Sequence, residues 1–306
     1  MKKVLIATEK PFAKEAVDSI ENIGKKSGYE IVKLEKYSEK EQLLEAVADV
    51  DAIIIRSDIA DKEVMNAATN LKIIVRAGAG YDNIDLAAAT EKGVVAMNTP
   101  GQNSNAVAEL AFGMMLFSAR GGFDGKSGNE LKGKTLGIHA YGNVGKYVAQ
   151  IAKGFGMKLF AFDPFIHDSD IQADGITPVQ SVEDLYKNCQ YVSLHIPAND
   201  KTKKSINKEL VSLMPKNAVL VNTARKEVID EDGLISMMCE RPDFKYLSDI
   251  APDCASVFDE KFPGRFFFTP KKMGAQTAEA NINAGIAAIN QIIAFLEKGD
   301  AKYKVN

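Results

Sequence analysis

The run Thr135-Leu-Gly-Ile-His-Ala-Tyr-Gly-Asn-Val-Gly145 constrains the fold of this chain more than any other segment. It opens as an apolar strand, passes through a glycine turn and enters a helix with Val144, Val148, Ile151 and Phe155 on one face. Gly154 and Gly156 end that helix, and a second apolar strand, Lys158–Phe162, closes on Asp163, 18 residues after Gly145. Strand, glycine turn, helix, strand and terminal acid together form the βαβ fingerprint of dinucleotide binding. Within Tyr141-Gly-Asn-Val-Gly145, Gly142 lets a pyrophosphate approach the main chain and Gly145 lets the helix pack against the strand. The helix N-terminus offers unpaired N–H groups and a positive dipole end. Asp163 can accept hydrogen bonds from both ribose hydroxyls and repels a 2′-phosphate, which favours NAD over NADP. The first glycine of the pattern is replaced by Ala140, so the turn must avoid a positive φ or carry about 1 kcal/mol of strain. The alternative is an ordinary βαβ unit whose glycines serve packing alone; the acid at the right spacing favours the cofactor.

With 306 residues the chain can build two domains, each with its own core. A 46% hydrophobic and 26% charged composition is that of a soluble globular protein. The formal charge of −3 gives no general attraction to nucleic acid or to an anionic membrane. No apolar run reaches spanning length, and Met1-Lys-Lys-Val-Leu-Ile-Ala7 starts a strand rather than a signal peptide. Cys189, Cys239 and Cys254 are odd in number and lack metal spacing, so no structural metal and a cytoplasmic location are expected.

Short apolar runs alternate with helical stretches throughout, which predicts parallel sheets. The first series is Lys3–Ala7, Glu30–Leu34, Ala52–Ile55, Ile73–Val75 and Val94–Met97. The second is Thr135–His139, Leu159–Phe162, Tyr191–Leu194, Ala218–Val221, Tyr246–Leu247 and Phe266–Phe268. Asn98-Thr-Pro-Gly-Gln102 separates them, and Ser104 is placed to cap a long helix. The last helix, from Thr277 to Lys298-Gly299, carries Ile282, Ile286, Ile289, Ile293 and Leu296 and is expected to cross back and complete the first domain.

Ligands of open parallel sheets sit outside the carboxyl ends of the strands. Those ends carry Arg56-Ser57, Arg76-Ala-Gly-Ala-Gly80 and Asn98-Thr99 in the first series. In the second they carry the glycine turn, Asp163, His195-Ile-Pro197, Asn222-Thr-Ala-Arg225, Asp249 and Thr269-Pro-Lys-Lys272.

With Arg76-Ala-Gly-Ala-Gly-Tyr-Asp-Asn-Ile-Asp85, Asn98-Thr-Pro100 and Val221-Asn-Thr-Ala-Arg225 added to the fingerprint, the chain resembles the D-isomer-specific 2-hydroxyacid dehydrogenases over nearly its whole length. Arg56-Ser57, the Arg76 segment and Lys271-Lys-Met-Gly-Ala-Gln-Thr277 bring it nearest the phosphoglycerate branch. The resemblance implies an α/β protein of two doubly wound parallel-sheet domains. A Rossmann-type NAD domain, residues 98–284, is inserted into a flavodoxin-like substrate domain, residues 1–97 and 285–306. It makes Arg225 the catalytic arginine, gripping the substrate carboxylate and stabilising charge on the carbonyl oxygen. Asp249 then holds the nicotinamide carboxamide, and His195, Pro197, Thr202, Thr223 and Ala224 lie beside the cofactor. The N–H groups of Gly78 and Ala79 meet the carboxylate, and Arg56, Ser57 and Arg76 meet a phosphate. The resemblance also implies a homodimer built on the Ser104–Arg120 helix, and the end at Asn306 suggests a short form without a serine-sensing domain.

Two departures belong together. The family's acid/base histidine follows a Thr-Pro pair, yet this chain reads Thr269-Pro-Lys-Lys-Met-Gly274, and its histidines are His139, His167 and His195. The histidine's glutamate partner, five residues after the strand-end aspartate, is Cys254, with Asp253 one residue short. A carboxylate raises and orients an imidazole, but beside a lysine it would only lock on a proton already held to about pH 10.4. Lysine needs burial and cationic neighbours such as Arg225 instead, so losing the glutamate suits a histidine-to-lysine exchange. A lysine-type subgroup exists within this branch. Counting back from Gly274 selects Lys272, with Lys271 as its neighbour; counting forward from Pro270 selects Lys271. The expected activity is NAD-dependent oxidation of D-3-phosphoglycerate to 3-phosphohydroxypyruvate, the entrance to serine synthesis. The alternatives are the same chemistry on another 2-hydroxy acid, such as glycerate or hydroxypyruvate, and an inactive NAD-sensing protein.

Overall fold

A computed structural model describes residues 1–306 of the chain, which forms two compact units, residues 1–103 with 276–306 and residues 104–275. The sequence reading divides the chain at 97/98 and 284/285. The later division differs because Ala278–Lys298 is one continuous helix and stays whole.

The first unit is a five-stranded parallel sheet of β1 (Lys3–Thr8), β2 (Glu30–Glu35), β3 (Ala52–Ile55), β4 (Ile73–Arg76) and β5 (Val95–Asn98). Its order is β2-β1-β3-β4-β5, the flavodoxin-like winding. Central strands such as Ala52–Ile55 are buried along their whole length, as expected where helices cover both faces. The edge strand β2 is polar and only partly buried. The closing helix begins at Thr277, whose hydroxyl accepts the Ala280 N–H at 3.1 Å, and ends at Gly299 with φ 70°. Its buried face is Ala280, Ala284, Gly285, Ala288, Ile289 and Ile292, while Ile286 is only half-buried. Ile289 of the expected stripe is in the core, and Ile282, Ile293 and Leu296 pack against it. Small residues share the buried face because Ile20 of the Lys14–Lys26 helix presses on Gly285, where a Cβ would lie 3.0 Å away.

The second unit is a seven-stranded parallel sheet. It comprises β6 (Thr135–His139), β7 (Lys158–Phe162), β8 (Thr177–Pro178), β9 (Tyr191–Leu194), β10 (Val219–Asn222), β11 (Lys245–Ser248) and β12 (Phe266–Phe268). The order β12-β11-β10-β9-β6-β7-β8 reverses between β6 and β9, so the glycine turn after β6 sits at the topological switch point. The two-residue β8 escapes sequence reading; it is too short to show alternation. The Ser104–Ala119 helix buries Ala108, Ala111, Phe112, Met114 and Met115 in this unit's own core, with Phe112 stacked on Phe155 at 5.1 Å. Ser104 is its first helical residue rather than the residue ahead of it. No helix is long and apolar enough to cross a membrane.

Candidate active site

The glycine turn forms as expected at the end of β6, with Ala140 at φ 78° and Gly142 as N-cap of the Asn143–Gly154 helix. The strained option is therefore the one taken. Gly145 lies against the Ala140 carbonyl with no room for a Cβ, which is the close helix-to-strand approach that the pattern demands. A Cβ on Gly142 would meet nothing within 4 Å, so the space beside the turn is open. Asn143, Val144 and Gly145 form the first turn, whose N–H groups lack partners within the helix. This arrangement fits a dinucleotide pyrophosphate.

Tyr141 is placed otherwise. Its side chain is buried and its hydroxyl donates to Asp174 Oδ2 at 2.8 Å, while its N–H donates to Asp163 Oδ2 at 2.8 Å. Asp163 Oδ1 accepts the Phe165 N–H at 2.9 Å. The acid thus ties the glycine turn to the end of β7, beside a cavity lined by Phe162, Pro164, Ile166, His167 and Gln180. A carboxylate oxygen accepts more than one hydrogen bond, so ribose contacts remain open to it.

His195 Nδ1 and Thr223 Oγ1 are 3.4 Å apart, and His139 Nδ1 lies 3.4 Å from the Tyr186 hydroxyl. Burial, helped by the nearby His139, pushes the His195 imidazole down to about 3. Burial pushes His139 down to about 4 against a small opposing pull from Asp163. Both are neutral, packed residues. Thr202 closes its own loop, its hydroxyl donating to Pro197 O at 2.6 Å and accepting the Asn199 N–H at 2.9 Å.

After β10 the chain turns through Asn222-Thr-Ala-Arg225. Asn222 is buried, its Oδ1 accepting the Ala224 N–H and its Nδ2 donating to Arg225 O, both at 2.9 Å. The sequence offers one signal for this role, an asparagine at a strand end, where Asx-type turns form. Arg225 Nη1 donates to Ala224 O at 3.0 Å, and Lys272 Nζ donates to the same oxygen at 3.1 Å. The expected acid/base and the expected catalytic arginine are thereby brought together. Lys272 and Lys271 are both exposed, so the cationic neighbour expected for an acid/base lysine is present but the expected burial is not.

Asp249, 2% exposed, is engaged on both of its oxygens. Its Oδ1 accepts the Thr269 hydroxyl at 2.9 Å and the Met273 N–H at 2.7 Å, and its Oδ2 accepts the Gly274 N–H at 2.8 Å. Cys254 has a carboxylate of its own: Glu231 accepts the N–H groups of Asp253 and Cys254, both at 2.9 Å. Burial and then Glu231 push the Cys254 thiol up to about 12. Asp253 pairs with Lys226 at 2.6 Å.

In the first unit the arginines are partly committed. Arg56 Nη1 donates to Lys10 O and Pro11 O at 3.2 and 3.1 Å, Nη2 donates to Asn281 Oδ1 at 2.7 Å, and the guanidinium lies 5.0 Å from the Phe12 ring. Arg76 Nε donates to Arg56 O at 2.9 Å. The Gly78 N–H, expected to meet a substrate carboxylate, donates instead to Arg76 O at 2.9 Å, because the chain bends tightly there. Gly78 has φ 154° and the Arg76 guanidinium lies where its Cβ would be. Ala79 and Ser57 are exposed, and Asn98 Nδ2 donates to Ala79 O at 2.6 Å. Asp58, unforeseen in the sequence, is buried and orders the Arg56-Ser57 turn by accepting from Tyr37, the Glu9 N–H and the Arg56 N–H.

Among known proteins, residues 4–306 match the family described as D-isomer specific 2-hydroxyacid dehydrogenase, catalytic domain. A D-3-phosphoglycerate dehydrogenase of Methanocaldococcus jannaschii is 35% identical over 328 residues, which are 100% of this chain but only 60% of that protein. A hydroxypyruvate reductase of Thermotoga maritima is 33% identical over 309 residues, 95% of this chain and 98% of that one. A crystal structure of NAD+-bound 3-phosphoglycerate dehydrogenase in Entamoeba histolytica is similar with a TM-score of 0.88 and 50% identity, covering 100% of this chain and 98% of that chain.

Proposed function

Because the chain belongs to the D-isomer specific 2-hydroxyacid dehydrogenase family, we propose that it oxidises D-3-phosphoglycerate to 3-phosphohydroxypyruvate with NAD. The observation that supports this most is the meeting of Lys272 and Arg225 on one carbonyl oxygen. The Gly142 turn and Asp163 would hold NAD, which would supply the acceptor for the hydride that leaves C2 of the substrate. Lys272, neutral at that moment, takes the hydroxyl proton and becomes an ammonium. Arg225 binds the substrate carboxylate and steadies charge on the oxygen that becomes the ketone. In the reverse direction the same lysine returns the proton. Arg76 is assigned the phosphate, with Ser57 and the Ala79 N–H as lesser contacts. The place of such an enzyme is the first step from phosphoglycerate toward serine.

One observation favours an unphosphorylated hydroxy acid: Arg56 already gives its donors to Lys10, Pro11 and Asn281, leaving less charge-assisted binding for a dianion. Steady-state NADH formation with D-3-phosphoglycerate, D-glycerate and D-lactate decides between them. Phosphoglycerate should have the highest kcat/KM; equal values for glycerate would remove the phosphate from the reading. A homodimer along the Ser104–Ala119 helix belongs to the same proposal, supported by Phe123, 68% exposed beside Phe117. Light scattering should give twice 33.2 kDa.

A further inference from the structure

We propose that Asp249 is a positioning residue for the acid/base, fixing the Thr269–Gly274 loop so that the Lys272 amine is delivered to Ala224 and Arg225. The inference rests on Lys272 being the acid/base.

Beyond β12, Thr269 N–H makes the last sheet-like bond, to Ser248 O at 3.1 Å. The Asp249 carboxylate then gathers the loop. Its three bonds go to Thr269 on one side of the lysines and to Met273 and Gly274 on the other. A carboxylate only accepts, and all three partners donate, so each bond runs in the required sense. The clamp is tight: a Cβ on Gly274 would lie 2.9 Å from Asp249 Oδ2 and 3.1 Å from Val107 Cγ2. The backbone is also strained beside it. Ile250, β-branched, has φ 141°, and such outliers persist only where surrounding structure over-determines them. The two strand ends share a reference frame, since the Asp249 N–H donates to Asn222 O at 2.9 Å, and Asn222 shapes the Arg225 turn. Asn222 therefore places the arginine and Asp249 places the lysine.

Asp249→Asn keeps shape and volume but turns one acceptor into a donor. With its NH2 toward Gly274, two donors face each other; flipped, the NH2 faces the Met273 N–H. Either way a buried N–H is orphaned and the loop shifts. The experiment compares D249N, T269V, T269S and K272A in the whole protein by kcat, by NADH affinity from fluorescence and by the pH midpoint of oxidation. A displaced base costs roughly 10²-fold in rate, so D249N should lose about that much kcat while NADH affinity holds. Its pH midpoint should move, because the amine no longer meets Arg225 at Ala224. T269V should lose part of kcat, and T269S, retaining the hydroxyl, should recover it; this pair decides the matter if D249N fails to fold. Loss of NADH affinity in step with kcat would assign Asp249 to the cofactor and overturn the proposal. Full turnover in D249N beside an inactive K272A would overturn the positioning role alone. Full turnover in K272A would overturn the lysine reading and this one with it.

Discussion

Lys272 Nζ and Arg225 Nη1 donate to one acceptor, the main-chain oxygen of Ala224, at 3.1 and 3.0 Å. Two cations sharing one oxygen repel each other, and that repulsion is relieved when the lysine gives up its proton. That is the form needed to take a proton from a hydroxyl.

Lys272→Ala should therefore lower kcat by roughly 10²-fold or more, since general acid/base catalysis contributes about 10²–10⁴. NADH binding should survive, because the Gly142 turn lies elsewhere in the unit. In the parent protein, oxidation should climb with pH as the amine becomes neutral, and reduction should fall over the same interval. Full activity of Lys272→Ala combined with loss in Lys271→Ala would move the role to Lys271.

Asp163→Ala should narrow the preference for NAD over NADP by removing the charge that repels a 2′-phosphate. The same variant frees the Tyr141 and Phe165 N–H groups, so NAD affinity should fall as well. Paired titrations with NADH and NADPH give both quantities; an unchanged ratio would take the ribose contact away from Asp163.

The two arginines of the first unit should separate. Arg76→Ala should raise KM for phosphoglycerate more than for glycerate, by about 1.5 kcal/mol or more if the contact is partly desolvated. Arg56→Ala should instead lower Tm, since it breaks ties to Lys10, Pro11 and Asn281 worth about 1–3 kcal/mol. Equal KM effects on both substrates in Arg76→Ala would leave the phosphate without this partner.

Ala140→Gly should stabilise the fold. The φ of 78° costs an alanine about 1 kcal/mol relative to glycine, partly offset by the entropy of a freer unfolded chain. A rise in Tm of roughly 2 °C is expected. A fall would mean that the Ala140 methyl contributes packing that outweighs its strain.

Stability should decline as pH falls below the ordinary histidine range. His139 and His195 are held at about 4 and about 3, against 6.5 in the unfolded chain, so between these values the unfolded chain binds more protons. Well above the ordinary value of 6.5 both are neutral in either state and add no slope. Urea midpoints measured between about pH 7 and pH 4.5 should fall, and His139→Gln should flatten the curve. No slope in the parent would show that the folded histidines are charged.

The sequence alone determined the elements and the cofactor unit, because these depend on local order. Apolar runs show their strands, Thr277 and Gly299 mark a helix, and the glycine spacing of residues 142 and 145 shows a turn. The substitutions Lys272 and Cys254 were legible for the same reason, as residues at counted positions. Only the tertiary structure decided what each polar side chain is occupied with. Asp249 grips the Thr269–Gly274 loop, Arg56 braces Lys10 and Asn281, and the Gly78 N–H is taken by Arg76. Partners far apart in the chain, such as Lys272 and Ala224, meet because β10, β11 and β12 lie side by side. A buried donor or acceptor takes whichever partner packing brings within about 3 Å, and that pairing has no period or spacing in the sequence to announce it.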